Sequence, residues 1–333
     1  MKIILSGGGT IGSVTPLLAV AEKIKDADFL FVGTKTGPEK SLVEAKGIRF
    51  VSITSGKFRR YFSFNNFIDI AKIKYAFFQS ISLIKKEKPD VIVSAGGFVS
   101  VPLVWAAFIT RVPAVVHSQD IRTGLAVKLM KPFCQVATKA FIHTKLKAKA
   151  IGNPVRSLRA RTNYFKLKNN KPVVLITGGG TGAMGINNLV QEDLCSFAQV
   201  IHVTGDNKNN KKIYNPDYHA YEFLRNEMPE ALNKADVVIT RAGLSTLTEL
   251  CALSKPSIVI PMPNSHQEIN AQYFSDHKAI FYLKQKELTP EKLTYAVKEL
   301  LKNKDLMKTL AKNINKLNKP HAAEELAKII CAL

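Results

Sequence analysis

The chain has 333 residues, 46% hydrophobic and 22% charged, a composition typical of a globular protein with room for two domains. Its four cysteines are scattered and its seven histidines show no metal-ligand spacing, so we expect a reducing compartment and no metal site. No secretory signal pattern is expected at the N-terminus. The net charge of +22 favours an anionic partner, such as nucleic acid, anionic lipid or a phosphorylated substrate; the alternative is a general bias of composition toward lysine, since only ten of the 48 basic residues are arginine.

In chain order, short apolar runs alternate with helical stretches, which is typical of a parallel α/β sheet. The predicted strands are 2–6, 28–33, 50–54, 90–95, 114–119 and 135–141, then 172–178, 199–205, 236–243, 257–263 and 279–283. The polar, basic stretch 151–171 predicts a boundary between domains 1–154 and 155–333, with the last helix free to return to the first domain. Each half begins with a strand, a triple glycine and a helix, so we predict two doubly wound domains facing each other across a cleft.

One apolar stretch needs separate treatment because it could be taken for a membrane span. Residues 91–110 contain 20 residues without a charge, which is long enough to cross a bilayer. Gly96, Gly97 and Pro102 interrupt it, so we interpret it as a buried strand, a turn and the start of a helix.

The basic charge is concentrated in two places. Residues 121–191 carry 13 lysines and arginines and no acid, and residues 55–88 carry eight basic and two acidic residues. In the second stretch the basic residues alternate with aromatic ones, namely Phe58, Arg59, Arg60, Tyr61, Phe62, Phe64, Phe67, Lys72, Lys74, Phe77 and Phe78. Residues 58–84 therefore predict either a membrane-facing surface or a core helix with a solvated basic face.

The glycine turns "SGGGTIGSVTP" and "TGGGTGAMGINN" predict sites for phosphate or another electron-rich oxygen, because backbone N–H groups there have no Cβ in the way. Gly7, Gly9 and Gly12 match G-x-G-x-x-G, which alone is a weak pattern. No acid follows the second strand, where Gly33 and Thr34 stand, so NAD is disfavoured. The lysine of a P-loop is also missing. The alternative is that these glycines serve only tight packing.

Polar clusters follow other predicted strands. Ser245 and Thr246 after Gly243 offer donors for a pyrophosphate, and Glu249 offers a carboxylate for a ribose diol; the alternative is an ordinary helix cap. His266, Gln267 and Asn270 suit sugar hydroxyls or a solvated helix start, and "VHSQD" ends a first-half strand with Asp120. Ligands of open α/β sheets bind at the carboxyl ends of strands, where all these clusters lie.

Seven segments stand in the order in which the MurG family carries its motifs: "GGGTIGSVTPLLAVAEKI", "SAGGFVSVP", "HSQD", "GNPVR", "TGGGTGAMGINN", "TRAGLSTLTEL" and "HQEINA". The chain resembles this family over essentially its whole length. The resemblance implies the GT-B fold, with two Rossmann-like domains and an active site between them, and inverting chemistry without a metal or cofactor. It implies transfer of GlcNAc from UDP-GlcNAc to lipid I, which forms lipid II in peptidoglycan biosynthesis.

The resemblance also assigns residues. Those implied to hold the donor are Arg156 near the nucleotide, Arg225 near the uracil beside Leu224, Glu249 at the ribose, Leu244, Ser245, Thr246, Gly180 and Thr181 at the diphosphate, and Gln267 and Asn270 at the sugar. Those implied to face the sugar and acceptor are Thr10, Ile11 and Gly12. The implied partners are an anionic membrane surface on the cytoplasmic side and other cell-wall synthesis proteins, but no nucleic acid.

Three motifs depart from the family pattern, one of them in the second half, where the G-G-S-Q-G loop reads Gly178-Gly179-Gly180-Thr181-Gly182. The first loop usually reads G-G-T-G-G-H, and here Ile11 replaces a glycine and Ser13 the histidine. The H-E-Q-N motif reads His117-Ser118-Gln119-Asp120. The hypothesis is that Asp120 is the general base, with Ser13 and His117 as the other candidates; the alternative is that Asp120 only hydrogen-bonds the donor sugar. Two other functions stay open: another GT-B nucleotide-sugar enzyme, such as a glycolipid glycosyltransferase or an epimerase, and a non-catalytic basic nucleotide-binding protein.

Overall fold

The computed structural model describes residues 1–54, 56, 65–160, 163–167, 170–180, 182–208 and 213–333, with the backbone alone at 65–68. The strands are β1 (Lys2–Ser6), β2 (Asp28–Gly33), β3 (Arg49–Ser52), β4 (Val91–Ser94), β5 (Ala114–Ser118), β6 (Val136–Lys139), β7 (Lys149–Ala150), β8 (Val173–Thr177), β9 (Gln199–Val203), β10 (Tyr218–Tyr221), β11 (Val237–Thr240), β12 (Ser257–Val259) and β13 (Phe281–Tyr282). The helices are α1 (Thr15–Ala21), α2 (Glu39–Glu44), α3 (Asn65–Glu87), α4 (Ser100–Ile109), α5 (Leu125–Met130), α6 (Met184–Asn187), α7 (Met228–Lys234), α8 (Leu244–Leu253), α9 (His266–Asp276), α10 (Pro290–Lys302), α11 (Lys304–Lys316) and α12 (Ala322–Cys331). Short 3-10 turns lie at Ile11–Ser13, Lys131–Phe133, Glu192–Ser196 and Gln285–Glu287.

The chain forms two compact units. The first comprises residues 1–156 and 319–333, and the second comprises residues 157–318. The first sheet has the order β3-β2-β1-β4-β5-β6-β7 and the second the order β10-β9-β8-β11-β12-β13, with parallel pairing throughout. In each sheet, the strand that comes first in the chain lies in the interior, with the next two strands on one side of it and the later strands on the other. This is the Rossmann strand order. The predicted fold of two doubly wound, Rossmann-like domains is therefore confirmed.

The core of the first unit explains why its strands are continuous apolar runs. Successive side chains of β1 alternate, so Ile3 and Leu5 pack on one face of the sheet and Ile4 on the other. Helix α12 belongs to this unit, since Leu326 and Ile330 are buried in the same cluster as Ile3 and Leu5. Side chains of the last helix and of the first strand therefore pack in the same hydrophobic core.

A glycine makes the close approach of the last segment possible. Gly152 has a φ of +90°, and a Cβ added there would lie 2.3 Å from Cβ of Lys319 and 3.1 Å from Cβ of Ala322. Any side chain would push these atoms away and would also strain the backbone. The glycine of "GNPVR" is therefore required by the packing of the segment that leads into α12.

The apolar stretch 91–110 is divided as predicted. It forms β4, a turn at 95–99 and α4, and both elements are largely buried in the first unit. In the part of the chain that the structure describes, no helix has the length and apolar character needed to cross a membrane.

Two short strands were missed by the sequence prediction. β10 reads "YHAY" and β7 only "KA", and their side chains are half-buried or exposed because each strand lies at the edge of its sheet. An apolar run is needed only where both faces of a strand are covered. The predicted strand 257–263 ends early, at Val259, because Pro261 and Pro263 have no N–H to continue the ladder.

Candidate functional site

Loop one, residues 7–10, follows β1, and its N–H groups are used inside the fold. Gly7 N donates to Val32 O at 3.4 Å, and Gly8 N donates to Ser13 Oγ at 3.0 Å. Gly9 N donates to Glu39 Oε1 at 3.4 Å, and the Ser13 hydroxyl in turn donates to Thr10 O at 3.2 Å. Ser13 therefore holds the shape of loop one, and the N–H groups of its three glycines are not directed at a ligand.

Loop one is packed directly against the turn after β4. Gly97 has a φ of +92°, and a Cβ added there would lie 3.0 Å from both N and O of Gly8. The side chain of Gln119 donates to Ala95 O at 2.9 Å and ties the end of β5 to the same turn. The ends of β1, β4 and β5 thus form one connected surface, which we call the first-unit edge.

The residues predicted to face the sugar and acceptor lie at this edge. Thr10 is exposed, and Ile11 and Gly12 are half-buried in the 3-10 turn that follows loop one. Arg156 is half-buried and is the last residue of the first stretch of this unit.

His117 is fully buried in β5, and both of its ring nitrogens are engaged. Nδ1 lies 2.9 Å from Thr138 Oγ1, and Nε2 lies 3.3 Å from Asn153 Oδ1. Since an amide oxygen can only accept, Nε2 carries the proton and Nδ1 accepts from the threonine hydroxyl. Burial lowers the pKa of His117 to about 4, because the charged ring would lose its hydration. The ring is neutral and shielded from solvent.

Asp120 lies just beyond β5 and is half-buried, next to a basic segment. Its carbonyl oxygen accepts from the Thr144 hydroxyl at 3.2 Å. Nζ of Lys139 donates to Ile142 O and Thr144 O, both at 3.0 Å, which fixes the loop that contacts Asp120. Ser118 is buried, and within the described ranges its hydroxyl oxygen has no hydrogen-bond partner.

Loop two, residues 178–182, follows β8 in the second unit. Gly179 and Gly182 have φ values of +78° and +68°, and a Cβ on Gly182 would lie 2.3 Å from Thr204 O. Gly180 is exposed, and Thr181 lies outside the described residues, as do 57–64 of the aromatic and basic run. The helix after this loop, α6, has only four residues, so its dipole adds little to anion binding.

Helix α8 supplies the stronger anion-binding terminus. It has ten residues, and its N-cap is Gly243, which carries no side chain to cap the first N–H groups. A Cβ on Gly179 would lie 3.9 Å from Thr246 Oγ1, so loop two and the first turn of α8 are neighbours. Leu244 is buried and can offer only its backbone, whereas Ser245 and Thr246 are half-exposed. Glu249 is 6% exposed, one turn further along α8.

A buried arginine that the sequence interpretation missed lies immediately before this terminus. Arg241 Nη1 donates to Ile260 O at 2.9 Å and to Pro261 O at 3.1 Å, and burial lowers the pKa of its guanidinium. It joins the end of β11 to the end of β12 and places a positive charge two residues before Gly243. The only signal in the sequence is an arginine directly after the apolar run "VVIT".

The segments around β10 and α9 complete this surface, which we call the second-unit edge. Asn270 is buried, and its amide donates to Ala242 O at 3.2 Å, so it braces the turn before α8. Gln267 Oε1 accepts from Met262 N at 3.0 Å. Arg225 N donates to Glu227 Oε2 at 3.0 Å, and its guanidinium lies 5.9 Å from the centre of the Phe223 ring.

A second buried histidine repeats the arrangement of the first. In β9, His202 Nδ1 lies 2.7 Å from the Tyr218 hydroxyl and Nε2 lies 3.1 Å from Asn187 Oδ1. The amide of Asn187 donates to Thr204 O at 2.9 Å and to Lys208 O at 3.1 Å, which fixes the loop after β9. Burial lowers the pKa of His202 to about 4. Sequence reasoning missed this role, because a histidine in an apolar run does not reveal its partners.

Comparison with protein-family models shows the class of enzyme to which the chain belongs. Residues 3–142 match the Glycosyltransferase family 28 N-terminal domain, and residues 173–326 match the Glycosyltransferase family 28 C-terminal domain. Together with the two Rossmann-like units, these matches define a GT-B glycosyltransferase.

Individual relatives identify the family within this class of glycosyltransferases. The chain is 37% identical over 320 residues to a UDP-N-acetylglucosamine--N-acetylmuramyl-(pentapeptide) pyrophosphoryl-undecaprenol N-acetylglucosamine transferase from Clostridium kluyveri, covering 90% of this chain and 91% of that one. It is 36% identical to the transferase of the same name from Clostridium tetani, covering 88% and 89%. The structure is similar to that of MurG from Acinetobacter baumannii, with a TM-score of 0.75, 24% identity and coverage of 100% and 99%. The chain belongs to the MurG family.

The two buried histidines predict a pH dependence of stability. In the unfolded chain a histidine has a pKa of about 6.5, so the unfolded state binds protons that the native state excludes between about pH 6.5 and 4. Unfolding free energy should therefore fall as the pH is lowered through this window, by up to about 1.4 kcal/mol per pH unit for each histidine. Urea unfolding between pH 7 and 5.5, where carboxylates stay ionised, measures the slope.

The variant His117→Gln retains a polar side chain that does not titrate. If the whole chain unfolds in one step, His117→Gln should remove about half of the fall in unfolding free energy per pH unit that the two histidines cause. If the two units unfold separately, it should remove all of the histidine contribution to this pH dependence in the first unit. His202→Gln should do the same for the second unit. An unchanged slope in both variants would contradict the assignment.

Proposed function

We propose that this protein transfers GlcNAc from UDP-GlcNAc to lipid I, with inversion at the anomeric carbon, and so forms lipid II in peptidoglycan biosynthesis. The observation that carries the proposal is the second-unit edge, where an open helix terminus, loop two and a buried carboxylate meet in a chain of the MurG family. Each of these features suits one part of a nucleoside diphosphate sugar.

The first turn of α8 suits the diphosphate. Its N–H groups and the hydroxyls of Ser245 and Thr246 are donors, and the helix dipole adds positive potential at the same point. In the transfer, the bond between the anomeric carbon and the diphosphate oxygen breaks, and negative charge builds up on the departing UDP. Donors already in place stabilise this charge without reorganisation, which lowers the barrier. Arg241 adds a fixed positive charge nearby.

The remaining parts of the donor are assigned around this terminus. Glu249 accepts hydrogen bonds from the ribose hydroxyls, and the backbone at Leu224 and Arg225 contacts the uracil. Gln267 contacts the sugar, and Asn270 acts there through the turn at Ala242 that it braces. Arg156 and the loop-two residues Gly180 and Thr181 complete the donor contacts.

The first test concerns the ribose. A hydrogen bond to a charged group contributes about 1.5–3 kcal/mol, so Glu249→Ala should weaken UDP binding about 10- to 150-fold. The wild type should also prefer UDP to 2′-deoxy-UDP, and the variant should lose this preference. Calorimetric titration of both nucleotides measures the two effects.

A matched control lies on the same unit. Glu299 is an exposed glutamate of α10 that pairs with Lys302 at 3.4 Å, and Glu299→Ala should leave UDP affinity unchanged. If Glu249→Ala binds UDP as tightly as this control, the ribose assignment is wrong. Failure of the wild type to bind UDP would overturn the proposed function itself.

Asp120 is proposed as the general base. The acceptor hydroxyl attacks the anomeric carbon, and a base must take its proton as the new bond forms. Among the three candidates, Ser13 is engaged with Gly8 and Thr10, and His117 is buried with both nitrogens occupied. Asp120 is half-buried at the first-unit edge and is the carboxylate of this motif.

The variant Asp120→Asn separates a base from a hydrogen-bonding residue. It keeps the shape of the side chain and removes its basicity, so kcat should fall about 10²-fold or more while UDP-GlcNAc affinity stays nearly constant. The control is Asp26→Asn, an exposed site with a φ of +57°, a conformation that asparagine tolerates. Turnover of Asp120→Asn equal to that of the control would assign Asp120 to hydrogen bonding alone.

The acceptor is lipid-linked, and we propose that α3 and α4 meet the membrane. Both helices leave large apolar side chains more than half exposed, namely Tyr75, Phe78, Phe108 and Ile109. Lys72 and Lys74 are exposed on α3 beside them. Aromatic side chains insert at the interface, and each basic residue near an anionic surface adds about 1 kcal/mol. The protein would thus act as a peripheral protein on the cytoplasmic face.

Reversing two charges tests this surface. Lys72→Glu/Lys74→Glu should lower partitioning onto vesicles containing anionic lipid by about 30-fold or more, since at least two attractions of about 1 kcal/mol are lost. Lys304→Glu/Lys308→Glu on α11 changes the net charge equally and should bind as the wild type does. Equal sedimentation of both variants with the vesicles would rule out this membrane face.

A further inference from the structure

Glu39 is a fully buried carboxylate at the start of α2, under loop one. Its Oε1 accepts from Thr34 N at 2.7 Å, from the Thr34 hydroxyl at 2.5 Å and from Gly9 N at 3.4 Å. These donors come from two different loops, the one after β1 and the one after β2. One oxygen atom therefore connects the two loops.

Glycines next to the Glu39 carboxylate leave space for it, because a Cβ at these positions would overlap its atoms. A Cβ on Gly8 would lie 2.4 Å from Oε1, and a Cβ on Gly37 would lie 1.9 Å from Oε2. Gly33 is less close, since a Cβ there would lie 3.1 Å from Cγ of Glu39 and nearer still, at 2.7 Å, to the ring of Phe50. Gly8 and Gly37, one on each loop, thus leave the volume that the glutamate fills.

Placing a carboxylate here is costly. Within the described part of the chain, Oε2 is buried without a hydrogen-bond partner, and an unsatisfied buried polar atom lowers stability. An apolar side chain of similar size would fill the space without this cost, but it could not accept from Gly9 and Thr34. The acceptor function of Oε1 is what distinguishes glutamate at this position.

We propose that Glu39 is a positioning residue that holds loop one in the shape that presents Thr10, Ile11 and Gly12 to the acceptor. Ser13 fixes the loop from one side through Gly8, and Glu39 fixes it from the other side through Gly9. The inference rests on the proposed function, because that function assigns Thr10 to Gly12 to the acceptor and the donor nucleotide to the second unit.

The expected effect is confined to one substrate. Glu39→Ala removes the acceptor atom, so kcat/KM for lipid I should fall about 10-fold or more, the usual effect of losing a hydrogen bond to a charged group. The Kd of UDP should stay within about twofold of the wild-type value. Glu39→Gln keeps an acceptor oxygen at the same place and should retain kcat/KM within about threefold, because neutral hydrogen bonds are weaker than charged ones.

The experiment compares these variants with Glu44→Gln, which changes an exposed glutamate of the same helix. Initial rates with lipid I and UDP-GlcNAc give kcat and KM for each substrate, and calorimetry gives the Kd of UDP. Amide hydrogen exchange of residues 7–13 reports loop one and the 3-10 turn that follows it, and it should speed up in Glu39→Ala but not in Glu44→Gln.

Several results would overturn the inference. They are unchanged lipid I kinetics in Glu39→Ala, an equal loss of UDP affinity, or a Glu39→Gln variant as impaired as the alanine. If Glu39→Ala does not fold, Thr34→Val removes one donor to the same oxygen and should lower kcat/KM for lipid I about threefold or more; unchanged kinetics there also overturn it. A wild type that transfers no GlcNAc would instead refute the proposed function, so the two failures are distinguishable.

Discussion

In each unit, the edge at the carboxyl ends of the strands depends on close contact between backbone segments. At the first-unit edge, Gly97 leaves no space for a Cβ against Gly8, and at the second-unit edge Gly182 leaves none against Thr204. Because main chain packs on main chain there, the loops cannot shift independently, and the N–H groups of residues 7–9 in loop one each have a defined acceptor. The polar side chains of the site only add to a geometry that glycine has already made possible.

Each unit fixes its loops with the same uncharged arrangement. A histidine in a strand accepts from a hydroxyl on the neighbouring strand and donates to an asparagine, which is Asn153 in the first unit and Asn187 in the second. Neutral groups achieve this without the desolvation cost of a buried ion pair. The two units therefore share strand order and also the way in which a buried polar group connects a strand to the loops beyond the sheet.

Much of the fold could be predicted from the sequence because doubly covered strands must be apolar. β10 could not, since an edge strand such as "YHAY" carries no such signal. For the site, the positions of the glycine loops and of the α8 terminus after their strands were predictable because a strand–turn–helix pattern is local, whereas the hydrogen bonds that the loop-one N–H groups make inside the fold were not. Glu39 was not, because "TGPEK" reads as a surface helix start and only long-range packing buries the carboxylate. The same holds for Arg241, whose acceptors lie 19 and 20 residues further along the chain.

The position of α12 has a consequence for biosynthesis. The core of the first unit needs Leu326 and Ile330, so a nascent chain that has emerged through residue 156 still lacks part of that core. The second unit is continuous from 157 to 318 and can finish folding earlier. During translation domains usually fold in order from the N-terminus, but here the second unit can complete its core before the first unit, whose core stays incomplete until α12 has been synthesised.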